Sequence, residues 1–410
     1  ALSVSLAQST GSLQPAHDTS DNHLTFDGTD DKLTFSSAVE QAGIAIVATS
    51  NGIFAYEVDA DSVDEIRAVG WETGYFQGID LYAYILLPAA TTDSDVVNVI
   101  AYLASATGAT RNPTGNLAHY WRGRTDLVAP KFSGLDWGGA TSFDSSWREC
   151  ASLTSFPMVD LSSGTDFSSS WRSCTSLTSF PKLDLSSGTT FYNCWRGCTQ
   201  LESFPILNLS SGTNFSYAWK DCSDASFTSF PVVTFTTDAD DDVNFTSAWE
   251  NCTGLTSIPS YLNLARGTSF ASAWKGCTSL PSFPAVTFST HADDDINFAS
   301  AWHNCTGLTS FPALNLSRGI YFNNTWVDCT GLTSFPATTT FSTHADDDIN
   351  FAGAWNGCTG LTSFPAFDLS RGTSFVESWR ACSNASFTSF PAVTFSDAGS
   401  DDINFTSAWQ

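Results

Sequence analysis

Eleven tryptophans recur through the C-terminal two thirds of the chain, at Trp147, Trp171, Trp195, Trp219, Trp249, Trp274, Trp302, Trp326, Trp355, Trp379 and Trp409, each 24 to 30 residues from the last. Self-similarity at that period marks a stacked solenoid, in which each repeat is one coil that buries its apolar face only against its neighbours. Four residues before every ladder Trp stands a Phe (Phe143, Phe167, Phe191, Phe215, Phe245, Phe270, Phe298, Phe322, Phe351, Phe375, Phe405). Three residues after it, wherever the chain continues, stands a Cys (Cys150, Cys174, Cys198, Cys222, Cys252, Cys277, Cys305, Cys329, Cys358, Cys382). Phe215, Trp219 and Cys222, and likewise Phe298, Trp302 and Cys305 or Phe351, Trp355 and Cys358, therefore fall at i, i+4 and i+7. That spacing predicts a short helix or 3₁₀ turn with all three side chains inward. The period then changes to two, as in Leu183 and Leu185, Leu207 and Leu209, or Val286 and Phe288, which predicts a short strand with one buried face. A turn such as Ser186, Ser187 and Gly188 leads to the next Phe.

The run "DLSSGTDFSSSWRSCTSLTSFP" resembles the BspA-type leucine-rich repeat of bacterial and viral surface proteins. Phe stands where that family has Met and Trp where it has Phe, while Cys and the following "SLTS" are kept. The resemblance spans roughly residues 117 to 410 and implies a right-handed solenoid of about eleven coils. Trp-rich versions with a small β domain in front resemble tail-fibre or virion-surface proteins of marine phages.

Composition bounds the partners. Sixteen Lys and Arg against 42 Asp and Glu give a formal charge of −26, which repels phosphate backbones and anionic lipid, so neither nucleic acid nor a membrane surface suits this chain. No apolar run reaches the ~20 residues of a membrane helix. The opening "ALSVSLAQST" lacks the basic start and apolar run of a signal peptide, which predicts a processed chain or another route out of the cell. The expected location is extracellular, on a virion or a cell surface. Expected partners are further copies or virion or filament neighbours, and a cell-surface glycan or protein receptor.

Four segments follow. Residues 1–107 carry strand-like runs at Leu24 to Phe26, Lys32 to Phe35, Gly43 to Thr49, Gly52 to Val58 and Ile79 to Leu86, then a helix capped by Asp93 or Ser94 with Val96, Ile100 and Leu103 on its apolar face. "LTFDGTDDKLTF" resembles the start of laminin-G-like or concanavalin-like jelly rolls, which implies a small β-sandwich. Residues 108–116 form a linker, 117–142 a degenerate capping coil, and 143–410 the Phe-Trp-Cys solenoid. In the capping coil Trp121 keeps the ladder, Leu117 replaces Phe and Arg124 replaces Cys, while Leu127, Pro130, Leu135 and Trp137 keep the rest. The sequence stops at "FTSAWQ", so its last apolar layer is expected to be covered by more chain or by a neighbour.

All 11 cysteines lie in the repeats, and only Cys194 is off the ladder. Paired spacings for disulfides or zinc are missing and no His recurs beside them, so small buried thiols are expected, not nucleophiles. From Trp219 onward every second coil is longer and acidic: Asp238 with Asp240, Asp241 and Asp242, then Asp293, Asp294 and Asp295, then Asp346, Asp347 and Asp348, then Asp401 and Asp402. Intervening coils carry Arg266, Arg318 and Arg371 at the equivalent turn, which places each Arg between acidic loops. The edge reads either as a solvated, self-neutralised surface or as a calcium site, since calcium takes clustered oxygen ligands; no other cofactor is implied. His291 and His344 precede two loops but have no counterpart in the first. Paired carboxylates also raise glycoside hydrolysis, yet near-identical copies are unlike a single catalytic site, and no enzyme is expected. A repeating surface suits multivalent weak binding instead. Sequons begin at Asn208, Asn214, Asn244, Asn251, Asn304, Asn315, Asn323, Asn384 and Asn404.

Overall fold

The computed structural model describes the strand backbones within residues 16–116, residues 121–123 and 127, and residues 137–409 apart from 239–241, 291–294, 344–347, 385, 388–389 and 396–402. Two compact units divide it, Ala1–Gly188 and Thr189–Gln410.

The first unit opens with an antiparallel sheet. β1 (Ala16–Asp18) pairs with β2 (His23–Phe26), β2 with β7 (Ile79–Pro88), β7 with β4 (Gly43–Thr49) and β4 with β5 (Gly52–Val58). β3 (Lys32–Thr34) and β6 (Glu65–Arg67) form a separate antiparallel pair. The helix expected after Asp93 lies outside the described residues, as do Leu117, Arg124, Pro130 and Leu135. From β8 (Thr114–Asn116) and β9 (Gly139–Ser142) onward every pairing is parallel.

The Phe-to-Cys segment is not a helix, and no helix stands among the described residues. Its N–H groups alternate. In the coil from Phe143, the N–H groups of Phe143, Ser145, Trp147 and Glu149 donate to carbonyls of the next coil at 2.8, 2.7, 2.8 and 2.7 Å. Those of Ser146, Arg148 and Cys150 turn back three residues, to Phe143, Ser145 and Trp147, at 3.1, 3.1 and 3.2 Å. Ser145 and Glu149 sit at φ 55° and 65°, and the same two positions are at positive φ in coil after coil. An α-helix would spend every N–H within its own segment and leave none for stacking. The ribbon of tight turns gives half to the neighbour and still sends Phe, Trp and Cys inward, so the spacing that predicted a helix is satisfied by a different backbone.

The second unit is a parallel-strand solenoid. Six short strands form one ladder, β10 (Val243–Asn244), β12 (Gly267–Ser269), β14 (Ile296–Asn297), β16 (Gly319–Tyr321), β18 (Ile349–Asn350) and β20 (Gly372–Ser374). A second edge carries the parallel pairs β11 (Asn263–Leu264) with β13 (Thr287–Phe288), β15 (Asn315–Leu316) with β17 (Thr340–Phe341), and β19 (Asp368–Leu369) with β21 (Thr394–Phe395). Single bridges at Ser229↔Ser257 and Ser282↔Ser310 mark a third edge. Leu207 and Leu209 flank no named strand; a single bridge, Asn208↔Thr234, holds that stretch. In the main ladder the register slips at each long coil: Val243 pairs with Gly267, but Asn244 pairs with Ser269. Gly267 is needed there because a Cβ would strike the ring of Phe270.

Stacked aromatic columns fill the core. Trp147 lies on Trp171 at 5.2 Å and 8°, and Trp274 on Trp302 at 5.3 Å and 11°. Phe columns run beside them, as in Phe143 on Phe167 at 5.4 Å and Phe298 on Phe322 at 5.4 Å. The Phe of each "SFP" stands perpendicular to the indoles: Phe283 lies 4.7 Å from Trp274 at 70° and 5.0 Å from Trp302 at 81°. The indole N–H of Trp147, Trp219, Trp249, Trp274, Trp302, Trp326, Trp355 and Trp379 is buried without a hydrogen-bond acceptor. The perpendicular phenyl rings offer at most weak N–H···π contacts. Stacking and burial of the large ring system outweigh that loss in each coil. In the first unit Trp121 stacks on Trp137 at 5.0 Å and on Trp147 at 5.2 Å. Trp409 stacks on Trp379 at 5.3 Å and is 54% exposed.

Candidate binding face and buried thiol ladder

All eleven cysteine sulfurs are thiols. Each ladder thiol for which the bond is resolved donates to the Trp carbonyl of the preceding coil: Cys174 to Trp147 at 3.0 Å, Cys222 to Trp195 at 3.2 Å, Cys305 to Trp274 at 3.1 Å and Cys358 to Trp326 at 3.0 Å. Burial raises the pKa of Cys222, Cys252, Cys277, Cys305, Cys329, Cys358 and Cys382, pushing Cys305 up to about 12 and Cys382 up to about 11. At neutral pH these sulfurs stay protonated, so the bond to the carbonyl holds and the thiolate needed for nucleophilic attack is not formed. Phe215, Trp219 and Cys222, Phe298, Trp302 and Cys305, and Phe351, Trp355 and Cys358 are all fully buried. Cys194 precedes its Trp by one residue, in the small-residue slot filled elsewhere by Ser170, Ala218 and Ala273. When that slot holds Ser or Thr, the hydroxyl bonds the Phe carbonyl one coil back, as Ser170 to Phe143 at 2.8 Å and Thr325 to Phe298 at 3.0 Å.

At the acidic edge, Asp238, Asp242, Asp295 and Asp348 are described, while Asp240, Asp241, Asp293, Asp294, Asp346, Asp347, Asp401, Asp402, His291 and His344 lie outside the described residues. The N–H groups of Val243, Ile296 and Ile349, next to Asp242, Asp295 and Asp348, donate to the carbonyls of Arg266, Arg318 and Arg371 at 2.9, 2.8 and 2.9 Å. Loop and Arg turn therefore occupy adjacent rungs. Arg318 Nη2 reaches Asp295 Oδ1 at 3.7 Å, with the Asp side chain 61% exposed. Among the described residues no three His, Cys, Asp or Glu side chains converge as metal ligands.

The sequons divide by what their amides do. Asn214, Asn244 and Asn404 accept the N–H two residues on, at 3.1, 2.9 and 3.0 Å, and Asn208 and Asn315 do the same at 3.2 and 3.0 Å. These bonds make Asn a turn former there. The side-chain nitrogens of Asn251 and Asn384 are engaged, by Asp221 Oδ1 at 2.9 Å and the Gly360 carbonyl at 3.1 Å. Asn304 is exposed and Asn323 half-buried.

A feature the sequence reading passed over lies one residue after the Trp. Arg122, Arg148 and Arg172 occupy that position in the first unit, and Arg196, Lys220, Lys275 and Arg380 in the second: seven of the chain's 16 basic residues. They point off the turn ribbon, half-buried or exposed. In the second unit Glu250 takes the same position and joins its neighbours, with Lys220 Nζ at 2.7 Å and Lys275 Nζ at 3.7 Å. Burial alone would raise the pKa of Glu250, but hydrogen bonds from Lys220 and Ser247 and the two lysine charges outweigh it and hold the carboxyl below its usual range. The flank of this row carries two tyrosines. Tyr192 and Tyr217 meet edge to face at 5.9 Å and 89°, with Arg196 and Lys220 each 5.7 Å from the Tyr217 ring.

No known protein family matches the sequence, and no curated protein matches it. Among solved structures, a leucine-rich repeat protein from Bacteroides ovatus is similar over 66% of this chain and 81% of its own, at 15% identity and a TM-score of 0.32. So low a score carries no argument; the parallel ladders and the aromatic columns define the solenoid. Among the described residues no helix is long and apolar enough to cross a membrane.

Proposed function

We propose that the chain is a non-enzymatic structural and binding protein of an extracellular or virion surface, in which the N-terminal β domain anchors a right-handed solenoid of eleven coils. Its first setting is a phage tail fibre or surface appendage; the second is a bacterial adhesin or a subunit of an extracellular filament. The observation that carries the reading is the use of the interior: the aromatic columns and protonated thiols are spent on stacking, coil after coil. What varies from coil to coil is the outer surface, where the basic row, the acidic loops and the sequons stand. A stiff scaffold with a periodic exterior suits many weak contacts with glycans, receptors or further copies, which add through effective concentration. Antibody raised against the purified chain tests it by gold labelling of native particles and cells. Label on phage tails or on the cell exterior supports the reading, and label confined to the cell interior refutes it.

A further inference from the structure

Two adjacent coils of the second unit depart from the repeat where packing does not ask for it. One residue after the ladder Phe, other coils carry Ser168, Ser216, Thr246, Ala271 or Ala352, and this coil carries Tyr192, which is 42% exposed. Two residues before the Trp, others carry Ser169, Ser247, Ser272 or Gly353 at positive φ, and the next coil carries Tyr217 at φ 60°. A bulky side chain in that conformation is strained, and the neighbouring coils stack as well without it. Strain held without a packing need points to function.

The surroundings define the chemistry. Arg196 Nε stands 3.7 Å from Asp221 Oδ2, with both side chains about one third exposed at 33% and 35%, and Arg196 Nη1 donates to Asn193 Oδ1 at 3.3 Å. Lys220 is held by Glu250 at 2.7 Å. The patch thus offers an aromatic ring beside a part-exposed donor and a part-exposed acceptor, with Arg196 paired to Asp221 and Lys220 to Glu250. Phosphate or sulfate would have to compete with Asp221 for Arg196 and with Glu250 for Lys220, in a chain of charge −26. We propose that Tyr192, Tyr217, Arg196 and Asp221 form a subsite for a neutral pyranose unit of a polysaccharide. The sugar's C–H face lies on the Tyr192 ring, and vicinal hydroxyls bond the Arg196 and Asp221 side chains. This deepens the binding reading above and rests on it.

Cello-, malto- and laminari-oligosaccharides, with oligogalacturonate as the charged comparison, are titrated calorimetrically into the full chain and into Tyr192→Ser and Tyr217→Ser. Serine is the residue that other coils use at both positions, so both variants fold, and Tyr217→Ser melts at the same temperature or higher. At least one neutral oligosaccharide binds the wild type, and each variant binds it roughly tenfold or more weakly. Three results overturn the proposal: equal affinity in wild type and variants, no binding of any neutral probe, or tighter binding of oligogalacturonate. Equal affinity removes this site while leaving a binding solenoid intact, and the gold labelling judges the surface reading separately.

Discussion

Alkaline pH is the sharpest probe of the thiol ladder. Burial raises the pKa of Cys222, Cys252, Cys277, Cys305, Cys329, Cys358 and Cys382, with Cys305 at about 12 and Cys382 at about 11. An unfolded thiol ionises near ~8.5. The folded state therefore holds its protons longer, and the stability this contributes is complete below pH ~8.5 and is lost as pH rises toward the folded pKa. At pH ~10 Cys305 and Cys382 each favour the unfolded chain by about 2 kcal/mol, and the other five thiols act in the same direction. Set against the whole stability of an ordinary domain, about 5 to 15 kcal/mol, these losses are large, so the solenoid is expected to lose stability steeply between pH ~9 and ~10.5. The assay is urea unfolding followed by Trp fluorescence at a series of pH values, for the wild type and for Cys305→Ala. Removing one thiol lowers the slope of stability against pH by about 1.4 kcal/mol per unit in that window. Equal slopes in the two proteins would refute the buried-thiol account, and so would native thiols that react with a disulfide reagent at pH ~8 as fast as unfolded ones.

Trp274→Ala in a middle coil leaves two stacked neighbours facing a void and is expected to cost about 3 to 5 kcal/mol, read from the urea midpoint. Gly267→Ala drives a methyl into the Phe270 ring and is expected to cost about 1 to 3 kcal/mol, whereas the same change at Gly123, where a Cβ meets nothing, costs only the strain of its positive φ. Melting with and without a calcium chelator is expected to give the same temperature, because Arg266, Arg318 and Arg371 already share the acidic edge; a fall on chelation would establish a bound ion.

The period of the coil was legible because one large side chain repeats, and the backbone within it was not. Phe, Trp and Cys at i, i+4 and i+7 point one way in a helix and also in a ribbon of tight turns. The signal that separates the two stands two residues after each Trp, where Gly197, Asp221, Asn251, Gly276, Asn304, Asp328 and Gly357 make seven of ten positions Gly, Asn or Asp. Those residues tolerate positive φ, while a helix interior disfavours all of them. Helical spacing combined with helix-breaking residues at a fixed offset is thus a readable signature of the ribbon.

Function was harder to read, because a repeat hides its exceptions. The acidic loops stand out by their length, and the ion pair between Arg318 and Asp295 there is solvated, with the Asp side chain 61% exposed. The basic row keeps the coil length unchanged and emerges only when the residue after each Trp is read down the stack. Tyr192 and Tyr217 lie 25 residues apart in sequence and 5.9 Å apart between ring centroids. No local pattern joins them; the stacking does, since a coil places equivalent positions one rung apart. In a solenoid whose interior is fixed by repetition, the residues that matter for binding are those that break the template at the surface, and the strained Tyr217 is the clearest break.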